Sequence, residues 1–197
     1  MNYSDFDSLT GLGNTTLMQA RFAQCAGDQA EFGIILIDVD GFIYFNDRYG
    51  HDEGDEKLKQ IAKLICQNLP DGIDVFRAGG EEFMIIITDF KMAEVVLLAM
   101  QICKAVNQEF SHLPPLRRFY CMSDHSYLEV YFPLTVSCGV AFYPEHGVDY
   151  STLYRSAEVA AIRGGKRLYG GVVGVAKNLY GSCFLPSTKN KTNASQI

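Results

Sequence analysis

Two short acidic clusters are the residues of this 197-residue chain best suited to chemistry. Asp38 and Asp40 close an apolar run typical of a buried strand, and Glu81 and Glu82 follow a glycine pair. Carboxylates that meet in one place repel each other unless a cation lies between them. Magnesium usually takes one or two carboxylates together with substrate phosphates. The clusters therefore predict a phosphoryl-transfer site with two metal ions about 3.5–4 Å apart.

Each cluster also has a plainer interpretation. Asp38 and Asp40 suit a turn after a strand, and Glu81 and Glu82 suit a solvated hairpin tip. For the first cluster alone, a turn and a metal site are equally good interpretations. The glycine pair Gly79–Gly80 favours the metal site, because glycine lets the backbone approach a ligand closely.

The elements that must position these clusters follow from hydrophobic periodicity and turn residues. In chain order we expect a helix over 15–26, a strand over 32–39, a polar loop to residue 54, a helix from 55 to about 69, strands over 74–78 and 83–88, a helix over 91–110, an irregular segment over 111–133, a strand over 134–143, a helix over 151–163 and a strand over 172–176. The order β-α-β-β-α-β, then α-β, is the split β-α-β arrangement. It predicts an α+β fold, an α/β sandwich with helices on one face of a central sheet. In that sheet the first strand neighbours the hairpin, so the acidic clusters converge.

Composition fits one soluble domain over 1–177, followed by a disordered polar tail over 178–197. The net charge of −6 and the lack of a basic run argue against a polymeric nucleic-acid partner. No signal peptide or membrane-spanning run is present, and the six cysteines are scattered, so we expect a cytoplasmic protein with reduced thiols. Cys121, His125 and His112 are a weak zinc candidate, and plain loop residues are the favoured interpretation.

Several segments together resemble the GGDEF family of diguanylate cyclases. Gly79–Phe83 reads GGEEF, and the other matching segments, in family order, are Asp7–Asn14, Asp38–Phe42, Asn46–Asp47, Gly50–His51, Gly54–Asp55 and Thr135–Val140. The resemblance spans roughly residues 7 to 165. It implies a palm-like sheet shared with nucleotide cyclases and polymerases, in agreement with the predicted strand order.

The resemblance implies an enzyme that condenses two GTP molecules into cyclic di-GMP, with release of pyrophosphate. The implied cofactor is Mg²⁺, as two ions that Mn²⁺ can replace, and the implied partner is a second copy of the domain. Its site residues would be Asp38, the Val39 carbonyl and Glu81 for the metals, Glu81 or Glu82 for deprotonating the 3′-hydroxyl, Asn46 and Asp55 for guanine, His51 near the nucleotide, and the backbone of Phe42, Gly79 and Gly80 against phosphate. Taken alone, His51 also suits a turn and Asp55 a helix start.

Three departures from the family pattern bear on activity. Ile43 stands where the family has a phosphate-contacting Lys, and Gly165 and Tyr169 stand where it has Lys and Arg. Lys166 and Arg167 are adjacent to those positions and are candidates to replace them. Pro70 and Ile73 occupy the positions of the Arg-x-x-Asp of product-inhibited members, so we expect no feedback inhibition through that site.

The segment over 111–133 is longer than the usual connection of the family, so the resemblance implies an insertion there. In a further hypothesis, Arg117 and Arg118 of this insertion supply the lost phosphate contacts. Because the chain begins close to the Asp7–Asn14 segment, we expect dimerisation to come from the insertion, the tail, a partner or high concentration. Two other functions stay open. One is a related cyclic dinucleotide synthase that accepts ATP, and the other is a catalytically silent domain that binds GTP or a partner protein.

Overall fold

The computed structural model describes residues 5–28, 31–121, 127–166 and 170–177. Its main elements are α1 (Thr15–Gly27), β1 (Phe32–Asp40), α2 (Phe42–Tyr49), α3 (His51–Gln67), β2 (Asp74–Arg77), β3 (Glu82–Thr88), α4 (Met92–Glu109), β4 (Leu116–Cys121), β5 (Tyr127–Phe132), β6 (Thr135–Tyr143), α5 (Tyr150–Ala161) and β7 (Val173–Val175). A 3₁₀ turn over Phe110–His112 follows α4, and a single π-helical turn over Ile162–Lys166 follows α5. The predicted tail over 178–197 lies outside the described residues.

A five-stranded sheet in the order β2-β3-β1-β6-β7 forms the centre of the molecule. Strand β1 pairs antiparallel with β3 and with β6, while β7 joins the edge parallel to β6. The apolar run Ile34–Ile37 of β1 is almost fully buried, as expected for a strand covered on both faces. The α+β fold predicted from the element order is confirmed.

Helices cover both faces of the sheet, so the prediction of helices on one face is wrong. Ile35 and Ile37 point into a core that includes residues of α2, α3 and α4. Ile34 and Leu36 point into a second core with α1 and α5. Successive side chains of a strand alternate between faces, so an unbroken apolar run needs cover on both sides.

The predicted polar loop over residues 41–54 is also wrong, because this segment is mostly helical. Helix α2 fills it, and α3 begins at His51 rather than at Asp55. Gly41 (φ 74°) and Gly50 (φ 89°) adopt left-handed backbone on either side of α2, which is where glycine separates short helices. Phe42 and Phe45 are buried and hold α2 against the core.

The segment over 111–133, predicted to be irregular, contains the antiparallel hairpin β4–β5. The hairpin is a separate two-stranded sheet. Leu116, at its start, is buried in the main core, and Arg48 of α2 donates a hydrogen bond of 3.0 Å to the Pro115 carbonyl. The proline pair at 114–115 favoured an irregular prediction, yet it only precedes the hairpin.

Helix α5 lies unusually close to the sheet because two glycines face it. A Cβ atom at Gly139 of β6 would collide with the Ala157 carbonyl oxygen. A Cβ atom at Gly174 of β7 would collide with the Ala160 carbonyl oxygen. Asp149 caps the helix by accepting a 2.8 Å hydrogen bond from the Thr152 amide. This close packing places α5 beside the carboxyl end of β1.

Candidate functional site

The two acidic clusters meet where β1 ends and β3 begins. Asp38 lies opposite Glu82 in the antiparallel register. The Val39 amide donates a 3.2 Å hydrogen bond to the Glu81 carbonyl, which extends the pairing past the strand end. The convergence expected from the split β-α-β order is therefore present for Asp38 and Glu82.

A third carboxylate, that of Glu158 on α5, adjoins the same place. It lines a cavity of about 50 Å³ whose walls are Leu36, Asp38, Glu82, Glu158, Ala161 and Ile162. Across the described ranges, no group of three or more His, Cys, Asp or Glu side chains is placed to hold a metal ion by itself. Magnesium needs only one or two protein carboxylates, since phosphates and water complete its shell. The donor set around this cavity fits that requirement.

Tyr154 of α5 fixes the Glu82 carboxylate. Its hydroxyl donates a 2.9 Å hydrogen bond to Glu82 Oε2. Burial of the ring, together with this hydrogen bond, raises the pKa of Tyr154 well above its ordinary value, so the hydroxyl remains a donor. On the other side, a Cβ at Gly79 would lie 2.8 Å from Glu82 Oε2, so glycine makes room for the folded-back carboxylate.

The glycine turn is closed by its own hydrogen bonds and by the N-terminal segment. The Ala78 and Gly79 amides donate to the Glu82 carbonyl at 2.8 and 3.2 Å. The Arg77 guanidinium donates to the Gly80 carbonyl at 2.7 Å and to Asp7 Oδ1 at 3.1 Å. Burial acts to raise the pKa of Asp7, but the hydrogen bonds from Thr10 and the Arg77 charge outweigh it and lower that pKa.

Asp40, the second acid of the first cluster, is a structural residue. It is 6% exposed and accepts hydrogen bonds of 2.8 Å from the hydroxyls of Thr135 and Ser137 and from the Gly171 amide. These bonds join β1 to β6 and to the turn before β7. Neither a solvated turn nor a shared metal cluster describes Asp40.

The residues expected at the base lie on the α2–α3 pair. Asn46 packs over Gly54, where a Cβ would collide with its Oδ1. That Oδ1 atom is buried and has no hydrogen-bond partner among the described residues. His51 and Asp55 are exposed one turn apart on α3. None of the three lines the cavity between Asp38 and Glu82. The predicted site residues therefore form two groups, the acidic residues beside the cavity and the three residues on α2 and α3. Phe42, which is buried at the start of α2, lies between Asp38 and Asn46 in the chain.

The departures from the family pattern are only partly described. Ile43, on the first turn of α2, is 61% exposed and presents no charge there. Gly165 and Lys166 belong to the π-helical turn after α5, while Arg167 and Tyr169 lie outside the described residues. Arg117 and Arg118 are on β4, but their side chains are not described. The zinc candidate includes His125, which is also outside the described residues.

Sequence reasoning did not assign Tyr154 and Glu158 to the site. They are four positions apart, and so share one side of α5. The sequence of α5 shows these two polar residues beside an apolar stripe. It does not show which strand they face.

Similarity to curated proteins covers part of the chain. An uncharacterized membrane protein of Staphylococcus epidermidis is 37% identical over 117 residues, which are 57% of this chain and 33% of that protein. A second uncharacterized membrane protein, from Staphylococcus saprophyticus, is 38% identical over the same share. The matched segment thus spans about a third of the length of these relatives. In the described part of this chain, no helix has both the length and the apolar character to cross a membrane.

The predicted cytoplasmic location is wrong, because these curated relatives are named membrane proteins. The prediction considered only the apolar runs of this chain, none of which reaches the length of a bilayer span. The match covers only a third of each relative, so the apolar runs of this chain carry no information about the remaining two thirds.

Solved structures share the fold over most of the chain. The GGDEF domain of TpbB (YfiN) from Pseudomonas aeruginosa has a TM-score of 0.68 at 28% identity, covering 87% of this chain and 94% of that one. The active GGEEF domain of a diguanylate cyclase from Vibrio cholerae has a TM-score of 0.61 at 26% identity, covering 83% and 94%. The family model described as "Diguanylate cyclase, GGDEF domain" matches residues 4–167. The resemblance inferred from the motifs is confirmed, and this chain belongs to the GGDEF domain family.

Proposed function

We propose that this chain is a diguanylate cyclase domain, which condenses two GTP molecules into cyclic di-GMP and releases pyrophosphate. The observation that carries the proposal is the register pair of Asp38 and Glu82 at the mouth of the glycine turn. It brings oxygen ligands to a strand end beside the glycine turn. Membership of the GGDEF family supports the same chemistry.

Asp38, the Val39 carbonyl and Glu81 would hold two Mg²⁺ ions, with Mn²⁺ as a substitute. Bound there, the ions would neutralise the charge that develops on the transferring phosphoryl group. The remaining work falls to the chain. Gly79, Gly80 and the backbone at Phe42 give phosphate close access, because two of these residues lack a side chain and the third begins a helix.

Glu81 or Glu82 would accept the proton of the attacking 3′-hydroxyl. The Tyr154 hydroxyl holds one oxygen of Glu82, which leaves the carboxylate in a fixed orientation. Each domain would bind one GTP, and two domains would face each other so that one 3′-hydroxyl attacks the other α-phosphate. Holding the two nucleotides together supplies much of the acceleration.

Asn46 and Asp55 would read guanine, with His51 near the nucleotide. The buried Oδ1 of Asn46, unpaired among the described residues, suits a ligand donor after a small rotation. Asp55 is exposed and can accept from the N1–H and N2–H₂ groups of guanine, a donor pair that adenine lacks. With adenine in the site, these acceptors would stay unpaired. The free-energy cost of leaving them unpaired would discriminate against adenine.

A silent domain that binds GTP or a partner is the second candidate, and exposed Ile43 favours it. A missing cationic contact to a transferring phosphoryl group costs about 10²–10³ in rate. A synthase that accepts ATP is a third candidate, because the loss of a phosphate-contacting cation at Ile43 also allows a change of substrate.

The deciding experiment incubates the purified protein with Mg²⁺ and GTP, ATP or both, and resolves the products by mass. Glu81→Ala and Glu82→Ala are run beside it, with Glu109→Ala, an exposed residue at the end of α4, as the matched control. Cyclic di-GMP from GTP, lost in the first two variants and kept in the control, supports the cyclase. A mixed or adenine product overturns the guanine assignment. Bound GTP without product at high protein concentration favours the silent domain.

A further inference from the structure

A groove on the outer side of α5 is separate from the acidic site. It has a volume of about 310 Å³, within the range of small-molecule pockets. One wall is formed by Arg155 and Val159 of α5 and by Arg163 of the π-helical turn after it. The other wall is formed by Val175 of β7 and the residues that follow it up to Lys177. The acidic cavity beside Asp38 lies on another side of the same helix.

The groove is cationic in an acidic protein. Arg155, Arg163 and Lys177 line it, no Asp or Glu among the described residues does, and the chain carries a net charge of −6. None of these three cations has an ion pair or hydrogen bond to another described residue. Arg21 and Arg77, by contrast, are each paired with an aspartate. The groove therefore presents guanidinium and ammonium donors that no described side chain uses.

The floor between the charges is apolar. Val159 and Ala160 of α5 line it together with Val175 of β7 and Ala176, which follows the strand. Arg155 lies on α5, and Arg163 lies eight positions later in the π-helical turn that follows it. A ligand that satisfies both features has a flat or apolar body and phosphates that reach the charged side chains.

We propose that this groove binds a small phosphorylated molecule of the nucleotide class, whose phosphates are held by Arg155, Arg163 and Lys177. Guanidinium groups bind phosphate through paired, charge-assisted hydrogen bonds, which makes arginine the better of the two cations for this role. The apolar floor accepts the base. The site is independent of the proposed cyclase activity and of its metal ions.

A peptide strand is a less suitable occupant. It would have to add to β7, which is only the three residues Val173–Val175 and offers few backbone groups for pairing. A nucleotide needs no such edge.

The test is an amide NMR titration of the whole chain with ADP and, separately, with inorganic pyrophosphate, in the presence of EDTA. The chelator removes the ions required at the acidic site, and ADP lacks the guanine donors. We expect saturable shifts at Ser156, Val159 and Val175, with tighter binding of ADP than of pyrophosphate. Equal affinity for both would overturn the nucleotide assignment.

Variants decide whether the cations hold the ligand. Arg155→Gln combined with Arg163→Gln should weaken ADP binding at least about tenfold, because two charge-assisted contacts are lost. Lys63→Gln combined with Lys104→Gln makes the same change in net charge on α3 and α4, and should weaken it less than about twofold. Lys177→Gln serves as a second variant at the other wall. No saturable shifts, or equal weakening in the control, would overturn the proposal.

Discussion

At the scale of single residues, two aspartates on one strand do different work. Asp40 is surrounded by donors from Thr135, Ser137 and Gly171, whereas Asp38 faces a cavity and the carboxylate of Glu82. Removing an acceptor leaves buried donors unpaired, and that loss of free energy exceeds the net value of the bonds. Removing one of several neighbouring carboxylates relieves repulsion instead.

Asp40→Ala should therefore lower the free energy of unfolding by about 3 kcal/mol or more, because three charge-assisted hydrogen bonds are lost. Asp38→Ala should lower it by less than Asp40→Ala does, because Asp38 is only partly buried and lies beside the like charge of Glu82. Urea unfolding of both variants measures the difference. A larger loss for Asp38→Ala would show that the structural role belongs to Asp38.

Tyr154 and Glu82 should be coupled energetically. Tyr154→Phe removes one hydrogen bond to a charged group and should lower the free energy of unfolding by about 1–2 kcal/mol. In a Glu82→Gln background the loss should shrink, and the double-mutant cycle measures the coupling. Tyr150→Phe, whose ring packs beside Tyr154, is the matched control.

The same pair predicts a pH dependence. The pKa of Tyr154 is raised by folding, so the contribution of its hydroxyl is full below about pH 10, the unfolded value, and is lost above it. The stability advantage of the wild type over Tyr154→Phe should be constant from pH 6 to 9 and smaller in urea titrations at pH 11. An advantage that grows with pH would contradict this sign.

At the scale of elements, the position of α5 depends on two glycines. Gly139→Ala would push a Cβ into the Ala157 carbonyl, a backbone atom that cannot rotate away. We expect a loss of about 3 kcal/mol or more in the free energy of unfolding, at the upper end of overpacking effects. The control is Gly27→Ala, where a Cβ meets no atom within 4 Å and a gain of up to about 1 kcal/mol is expected. Thermal or urea unfolding of both variants provides the comparison.

The elements that the sequence predicted well are those with strong periodicity. The continuous apolar run of β1 and the helical stripe of Leu58, Ile61 and Ile65 were recognisable without tertiary information. Helix α2 was missed because its eight residues lie between Gly41 and Gly50, which are typical of a loop. Its helical state depends on burying Phe42 and Phe45, a tertiary effect.

The site was predictable to the same extent. Asp38 and Glu82 were brought together by topology alone, since the split β-α-β order makes their strands neighbours. The contribution of Tyr154 and Glu158 depends on how α5 is rotated over the sheet. That rotation follows from the close approach at Gly139 and Gly174, which spacing within α5 does not reveal.

At the scale of the whole molecule, the N-terminal segment is tied to the sheet by charge. Asp7 joins Thr10 and Arg77, and Gly13 pairs with the β2 residue Phe76. The pKa of Asp7 is lowered by folding, so its stabilising effect is present above about pH 4, the unfolded value, and is lost as pH falls through the lower folded value.

Asp7→Asn should consequently flatten the acid side of the stability profile. Between pH 5 and pH 3 the wild type should lose more free energy of unfolding than the variant, as measured by urea titrations at each pH. Asp71→Asn, in the exposed turn after α3, should leave the profile unchanged. If the wild type and Asp7→Asn lose the same free energy of unfolding between pH 5 and pH 3, Asp7 does not cause the loss of stability in acid.

The central place of β1 has a consequence for how the protein is made. Phe32 of β1 pairs with Thr88 of β3 on one side and with Tyr143 of β6 on the other. Strand β1 is therefore synthesised long before its second neighbour, β6. At about 5–20 residues per second, β6 emerges on the order of 5–20 s after β1. During that time this apolar strand has one open edge, which makes the nascent domain a natural client for chaperones that shield unpaired strands.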